Sequence, residues 1–233
     1  MESKRARLDR FISQHLQVNR KNVRLMLAKG QVKVDGELAR DIDLIVDEFS
    51  HICVDDKVIQ ANQACYLMLH KPVGVVSATV DDKHKTVIDL LEWDNKESLH
   101  IVGRLDLNTS GLVLLTNDGR WSKRLMDPEH KVGKLYRVHL ENPLTSEYIS
   151  AFEQGMYFEF EDITTLPAEL EIIGSHTALV TLYEGRYHQI KRMFGRFRNP
   201  VIGLHRISVG NIMLDSELSV GQSRPLTGDE IKG

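Results

Sequence analysis

Cysteine is nearly absent. Cys53 and Cys65 are the only two in 233 residues, and they stand in no metal-ligand spacing, so neither a disulfide framework nor a zinc site is expected. No apolar run approaches the roughly 20 residues of a membrane-spanning helix. The charged start, Met1-Glu2-Ser3-Lys4-Arg5-Ala6-Arg7, leads into no apolar signal core. A cytoplasmic protein is the expectation. Walker and Rossmann patterns are missing too, as are internal repeats and low-complexity tracts. The 42% hydrophobic content is ordinary for a globular chain, and the length suits one large domain or a small one plus a medium one.

An overall excess of positive charge is also lacking, since the formal net charge is −3. The distribution is uneven, however. Residues 1–33 carry nine Lys/Arg against Glu2 and Asp9, whereas residues 34–60 carry Arg40 and Lys57 against eight acids. A second basic block, from Arg186 to Arg206, holds six Lys/Arg with no acid between Glu184 and Asp215. Two basic surfaces on an acidic protein suit an anionic partner gripped at chosen places.

In chain order, apolar residues at 8, 11, 12 and 16 have helical spacing, and a second helix runs from Arg20 to Lys29 with Asn19 as N-cap and Gly30 as C-cap. Gln31 to Glu37 alternates like a strand and ends in an Asp-Gly turn. The polar stretch from Asp55 to Ala64 is expected to be a linker. Cys65 to Ser77 reads as strand, break at Pro72, turn at Gly74, strand; Thr86 to Leu91 reads as a short amphipathic helix. A helix over 120–125, a strand over 134–140 and a helix over 146–154 follow. Strands over 168–173 and 177–183 come next, then a basic helix beyond Gly185, and short strands near 201–206 and 212–214. Many short strands with few helices predict an α+β fold with a mixed, mainly antiparallel sheet.

The central string is His100 to Gly119, containing Gly103-Arg104-Leu105-Asp106, Thr109-Ser110-Gly111-Leu112 and Thr116-Asn117-Asp118-Gly119. An apolar strand enters it, a loop rich in Asn, Thr, Ser and Gly follows, and a second strand leaves it. Read alone, Asp106 is a turn aspartate binding its own backbone. The whole string, however, resembles the active-site segment of the RsuA-type pseudouridine synthases, in which this Asp is the essential catalytic residue. Lys134-Leu135-Tyr136 is similar to that family's Lys-x-Tyr segment, and Glu184-Gly185-Arg186-Tyr187-His188-Gln189-Ile190-Lys191-Arg192-Met193 to its second basic motif. His70-Lys71-Pro72 departs from the family's usual Asn-Lys-Pro, which puts a local hydrogen bond in doubt. The two basic helices and the Val-Asp-Gly hairpin resemble the S4 RNA-binding module.

The resemblance implies an S4-like RNA-binding domain over residues 1–60 and a pseudouridine synthase domain over 61–233. It implies Asp106, Tyr136 and Arg186 as the catalytic set, with Tyr136 against the target base and Arg186 paired with Asp106. An arginine there would favour the ionised carboxylate. Arg7, Arg10, Arg20, Lys21 and Arg24 would bind RNA from the first domain; Lys71, Arg104, His188, Gln189, Lys191 and Arg192 from the second. Pseudouridine formation has no net redox, phosphate or acyl change, so no cofactor and no metal is expected. The implied partner is 16S rRNA or a small-subunit assembly intermediate, at the family's target uridine 516, and the expected state is a monomer. Two alternatives are the same reaction on 23S rRNA, or a non-catalytic assembly factor that keeps the fold. A metal nuclease using Asp106 and Asp118 would need further clustered carboxylates.

Overall fold

A computed structural model describes residues 5–232; Glu2 and Lys4, counted above in the amino-terminal charge, lie outside them. The chain divides into two compact units between Ala64 and Cys65.

The first unit runs β1 (Ala6–Arg7), α1 (Leu8–His15), α2 (Arg20–Ala28), β2 (Val32–Val34), β3 (Glu37–Leu38), β4 (Ile45–Val46), β5 (Ile52–Val54) and β6 (Lys57–Gln60). Asn19 accepts the amide of Asn22 at 2.9 Å and so caps α2, while Gly30, at φ +71°, ends it. Leu8, Ile12, Val23, Leu27, Val32 and Ile52 form the core, which is why the apolar residues recur at helical spacing in one half and alternate in the other. The segment 55–64 is not all linker. Asp55 and Asp56, both at positive φ, make the turn of a β5–β6 hairpin, and only residues 61–65 lack regular structure. The acidic pair hid a strand because Asp-Asp in a two-residue turn reads as solvated polar chain.

The second unit runs β7 (Tyr66–Lys71), β8 (His100–Val102), β9 (Ser110–Thr116), α3 (Gly119–Met126), β10 (Lys134–Leu140), α4 (Glu147–Gln154), β11 (Tyr157–Phe158), β12 (Ile163–Thr164), β13 (Glu169–Gly174), β14 (Thr177–Leu182), α5 (Gln189–Gly195), β15 (Val201–Val209), β16 (Ile212–Met213), β17 (Ser223–Pro225) and α6 (Gly228–Lys232). Its sheet has the order β13-β14-β10-β15-β9-β7-β17, with β16 beside β15 and β8 beside β9. Every pairing is antiparallel except β15 with β9, so the sheet is mixed and mainly antiparallel, with helices packed on it. Central strands β7 and β9 are apolar on both faces. Leu67, Leu69, Val113 and Leu115 join Phe152 and Phe194 in one core; Met68, Leu112 and Leu114 join Trp121 and Leu226 in another.

Three local expectations change. Thr86 to Leu91 is a turn rather than a helix: the Thr86 amide donates to Asp89 Oδ2 and the Asp89 amide to Thr86 Oγ1, a reciprocal cap that closes one turn and goes no further. No strand follows Gly74; Val76 makes a single bridge to Thr86. Strand β15 runs on to Val209, past the expected end at 206, while β16 stands where the strand near 212–214 was expected. Asp118 starts a helix, accepting the amides of Arg120 and Trp121.

Ahead of α6, Arg224 binds Glu230 at 2.9 and 3.0 Å and Asp215 at 2.6 Å. The Arg224 guanidinium pulls the Glu230 carboxyl down to about 2 from 4.5. A depressed carboxylate contributes stability that is present above pH 4.5 and lost as pH falls toward 2. Glu230→Gln should therefore lower the melting temperature at pH 7 and flatten its fall between pH 4.5 and 2. Identical acid profiles for the two proteins would contradict this.

Candidate active site

The loop of residues 103–109 joins β8 to β9, and three groups outside it fix its shape. Lys71, at the end of β7, is fully buried, and its ammonium donates to the carbonyls of Pro72 (2.9 Å), Asp106 (3.1 Å), Leu107 (3.5 Å) and Thr109 (2.7 Å). Burial brings Lys71 down to about 8, with the Asp106 carboxylate opposing that fall and Arg206 adding to it. Ser77 Oγ donates to the Leu105 carbonyl at 2.8 Å and accepts the Leu105 amide at 3.0 Å. Arg206, also buried, donates to the carbonyls of Gly103 (2.6 Å) and Leu112 (2.8 Å). Both ends of the loop and its centre are thus held by buried donors, and buried backbone carbonyls need such partners.

The same strands meet at one rung. Tyr136 of β10 is opposite Arg206 of β15, Arg206 opposite Gly111 of β9, and Gly111 opposite Lys71 of β7. Gly111 sits at φ +110°, and a Cβ there would lie 2.3 Å from the Arg206 carbonyl oxygen. Only glycine permits this approach. A register shift between Leu135 and Tyr136 marks a bulge beside the rung, a common device for re-aiming a side chain near a site.

The Asp106 carboxylate is one-third exposed. His188 Nε2 lies 3.2 Å from its Oδ2, and Lys191 Nζ 3.3 Å from the same oxygen. The expected Asp106–Arg186 pair does not form. Arg186 Nε instead donates to Glu184 Oε2 at 2.8 Å. Glu184 Oε1 accepts from Gln189 Nε2 and from the Leu166 amide, each at 2.8 Å, and the Arg186 amide donates to Gln189 Oε1 at 3.2 Å. Glu184, Arg186 and Gln189 therefore close a small ring around the turn before α5. That ring drives His188 into the left-handed region (φ +49°, ψ +31°), a conformation costing about 1–3 kcal/mol for a residue with a side chain. Its reward is the imidazole at Asp106. The Lys191 ammonium thus stands 3.3 Å from Oδ2, partly shielded from water.

Other expected contacts sort by burial. Lys71 and Gln189 are buried and cannot lie on an RNA-binding rim; both are internal braces. Arg206, counted with the basic block, is internal as well. Arg104 is exposed. Arg192 reaches Glu161 at 2.5 Å and lies 3.9 Å over the Phe158 ring. Tyr136 is buried in the larger core, with 8% of its surface open. In the first unit, buried Asp9 engages Arg7 at 3.2 Å and Arg20 at 3.8 Å. Burial works to raise the Asp9 carboxyl, but the two guanidiniums hold it below the usual range. Arg10, Lys21 and Arg24 remain exposed and outside any ion pair among the described residues. Asp118 is occupied by its helix cap and by the Tyr66 hydroxyl at 2.8 Å, so it offers no second carboxylate to Asp106. His70 replaces the family's usual Asn without leaving a gap: its Nδ1 lies 2.8 Å from the Leu218 carbonyl.

Sequence reasoning missed Ser77, Glu184 and the bracing role of Arg206. For Glu184 the signal was present: a carboxylate two residues before Arg and five before Gln is well spaced to close a turn.

A clamped carboxylate on a mixed sheet, approached by a basic helix, defines a site for chemistry on an anionic substrate. Residues 65–195 match the model of the RNA pseudouridylate synthase family, and the chain belongs to that family; it is an isomerase acting on RNA. It is 50% identical over 226 residues to the ribosomal small subunit pseudouridine synthase A of Pseudomonas aeruginosa, covering 97% of this chain and 98% of that one. The protein of the same name from Escherichia coli K12 is 41% identical, over 97% and 98% of the two chains. A solved structure described as a pseudouridylate synthase superposes with a TM-score of 0.71 at 37% identity, covering 97% of this chain and 98% of that one.

Proposed function

We propose that this protein converts one uridine of small-subunit rRNA to pseudouridine, with Asp106 as the reacting carboxylate. The observation that carries the reading is the clamp: Lys71, Ser77 and Arg206 fix the loop, and His188 and Lys191 converge on one oxygen of its only carboxylate. The reaction breaks the N1–C1′ bond, turns the uracil and forms C5–C1′, while the C5 proton leaves and N1 gains one. Nothing is oxidised, and the atoms balance without a co-reactant.

The full-length likeness to small-subunit enzymes favours 16S rRNA, at the family's uridine 516, over a 23S site. A uridine in folded RNA must be extruded at a cost of a few kcal/mol. The open edge of Tyr136 would lie against the flipped base, and Arg186, acting through Glu184, would hold the turn that presents His188. Residues 1–60 would serve as an S4-like RNA-binding domain and the remainder as the catalytic domain.

The direct test is tritium release from 16S and 23S transcripts labelled at uridine C5, free and in partly assembled particles. Release from 16S RNA that persists in EDTA supports the reading. Release from 23S alone would overturn the substrate, and binding without release from either would favour the assembly factor.

The first unit's share is separately testable. Arg10, Lys21 and Arg24 are its helix cations that enter no ion pair among the described residues, and phosphate contacts set the salt dependence of binding. Replacing all three with Ala should weaken rRNA binding and reduce the slope of log K against log salt by roughly 2–3. An unchanged slope would remove these cations from the interface.

A further inference from the structure

Tyr187 is 76% exposed, and its hydroxyl makes no hydrogen bond among the described residues. It is nonetheless held in place. Its ring lies on the His188 imidazole, with centroids 3.9 Å apart and planes 19° from parallel, and His188 is itself fixed by Asp106 at 3.2 Å and by its left-handed backbone. From below, Arg192 Nη1 donates to the Tyr187 carbonyl at 3.5 Å, while Nη2 of the same guanidinium binds Glu161. That contact ties the ring's backbone to the β11–β12 hairpin, whose Phe160 is 97% exposed.

An exposed aromatic ring fixed beside a reacting group presents one π-face to the protein and one to the RNA. Every nucleobase has a matching face, and stacking on protein aromatics is how unpaired bases are held. The order of groups sets the location: carboxylate, imidazole touching it, phenol stacked on the imidazole. One further ring would fall a single stacking step beyond Tyr187, too far to be the base reacting at Asp106 and close enough to be its neighbour in the strand.

We infer that Tyr187 is a stacking platform for an unpaired nucleobase flanking the target uridine, and so a specificity-determining residue of this site. The inference rests on Asp106 being the reacting carboxylate. Base–aromatic stacking corresponds to a loss of about five- to a hundredfold on truncation.

The test uses full-length protein and an RNA substrate with 2-aminopurine next to the modified uridine, on either side in turn. Tyr187→Ala should lower kcat/KM by about five- to a hundredfold, mainly through KM. Tyr187→Phe should restore it to within about twofold, since the ring and not the hydroxyl stacks. Wild type, Tyr187→Phe and Asp106→Asn should all quench 2-aminopurine fluorescence from one side of the uridine, and Tyr187→Ala should not. Wild-type kinetics and quenching in Tyr187→Ala would overturn the inference while leaving the functional reading intact. A Phe variant as poor as Ala would also overturn it, because the hydroxyl would then carry the effect. Wild-type protein that forms no pseudouridine would overturn the functional reading, and this inference with it.

Discussion

Asp106→Asn protein should bind rRNA almost as tightly as wild type and form pseudouridine at least about a thousandfold more slowly, the scale on which removing a reacting group acts. The amide is isosteric and one-third exposed, and no hydrogen bond that shapes the loop uses the carboxylate; the loop is held through its main chain by Lys71, Ser77 and Arg206. Fold and RNA contacts should survive. What goes is the negative charge that Lys191 and His188 converge on. Single-turnover kinetics with binding measured in parallel separates the two effects. Comparable losses in rate and affinity would make Asp106 an RNA ligand and not the reacting group.

Lys71→Met should cost stability and activity together. Methionine fills the space of the aliphatic stem but leaves four carbonyls without the ammonium. Those of Asp106 and Leu107 keep amide donors from Thr109 and Gly74, so the loss is expected near the low end for a broken buried charge network, about 3 kcal/mol, or about 6–12 °C in melting temperature. The rate should fall on the order of a hundredfold, because a loop relaxed by 1 Å misplaces Asp106. Lys71 also has a pH signature. Burial lowers it to about 8 from 10.5, so between these values the unfolded chain holds a proton the folded protein has lost. The cost of burying the charge is full below pH 8 and is relieved as pH rises toward 10.5. The stability advantage of wild type over Lys71→Met should therefore widen across that window. A variant that melts and turns over like wild type would show that the loop needs no clamp.

The strand-loop-strand around Asp106 was legible because its information is contiguous: two apolar runs, turn residues between them and one carboxylate at the junction. Strand β10 was legible from its alternation, and β13 and β14 as two short strands either side of Gly174-Ser175. The partners of Asp106 were not. Arg186, His188 and Lys191 lie within six residues, and which one faces Asp106 depends on the left-handed turn at His188, produced by Glu184 and Gln189 closing on Arg186. Lys71 and Arg206 were read as surface cations because charged residues are almost never fully buried without partners; their partners are backbone carbonyls of a loop 30 to 100 residues away, which leave no mark in composition. The hidden strand β6 and the missing helix at Thr86 fail for a related reason. Short polar turns and single capped turns carry too few residues for a period to show.

The most direct test of the central claim is nucleotide-resolution pseudouridine mapping of rRNA from cells lacking this protein, complemented with wild type or with Asp106→Asn. A single 16S position that disappears on deletion, returns with wild type and stays unmodified with Asp106→Asn is the predicted result. A site restored by the Asn variant, or no change at any rRNA uridine on deletion, would contradict it.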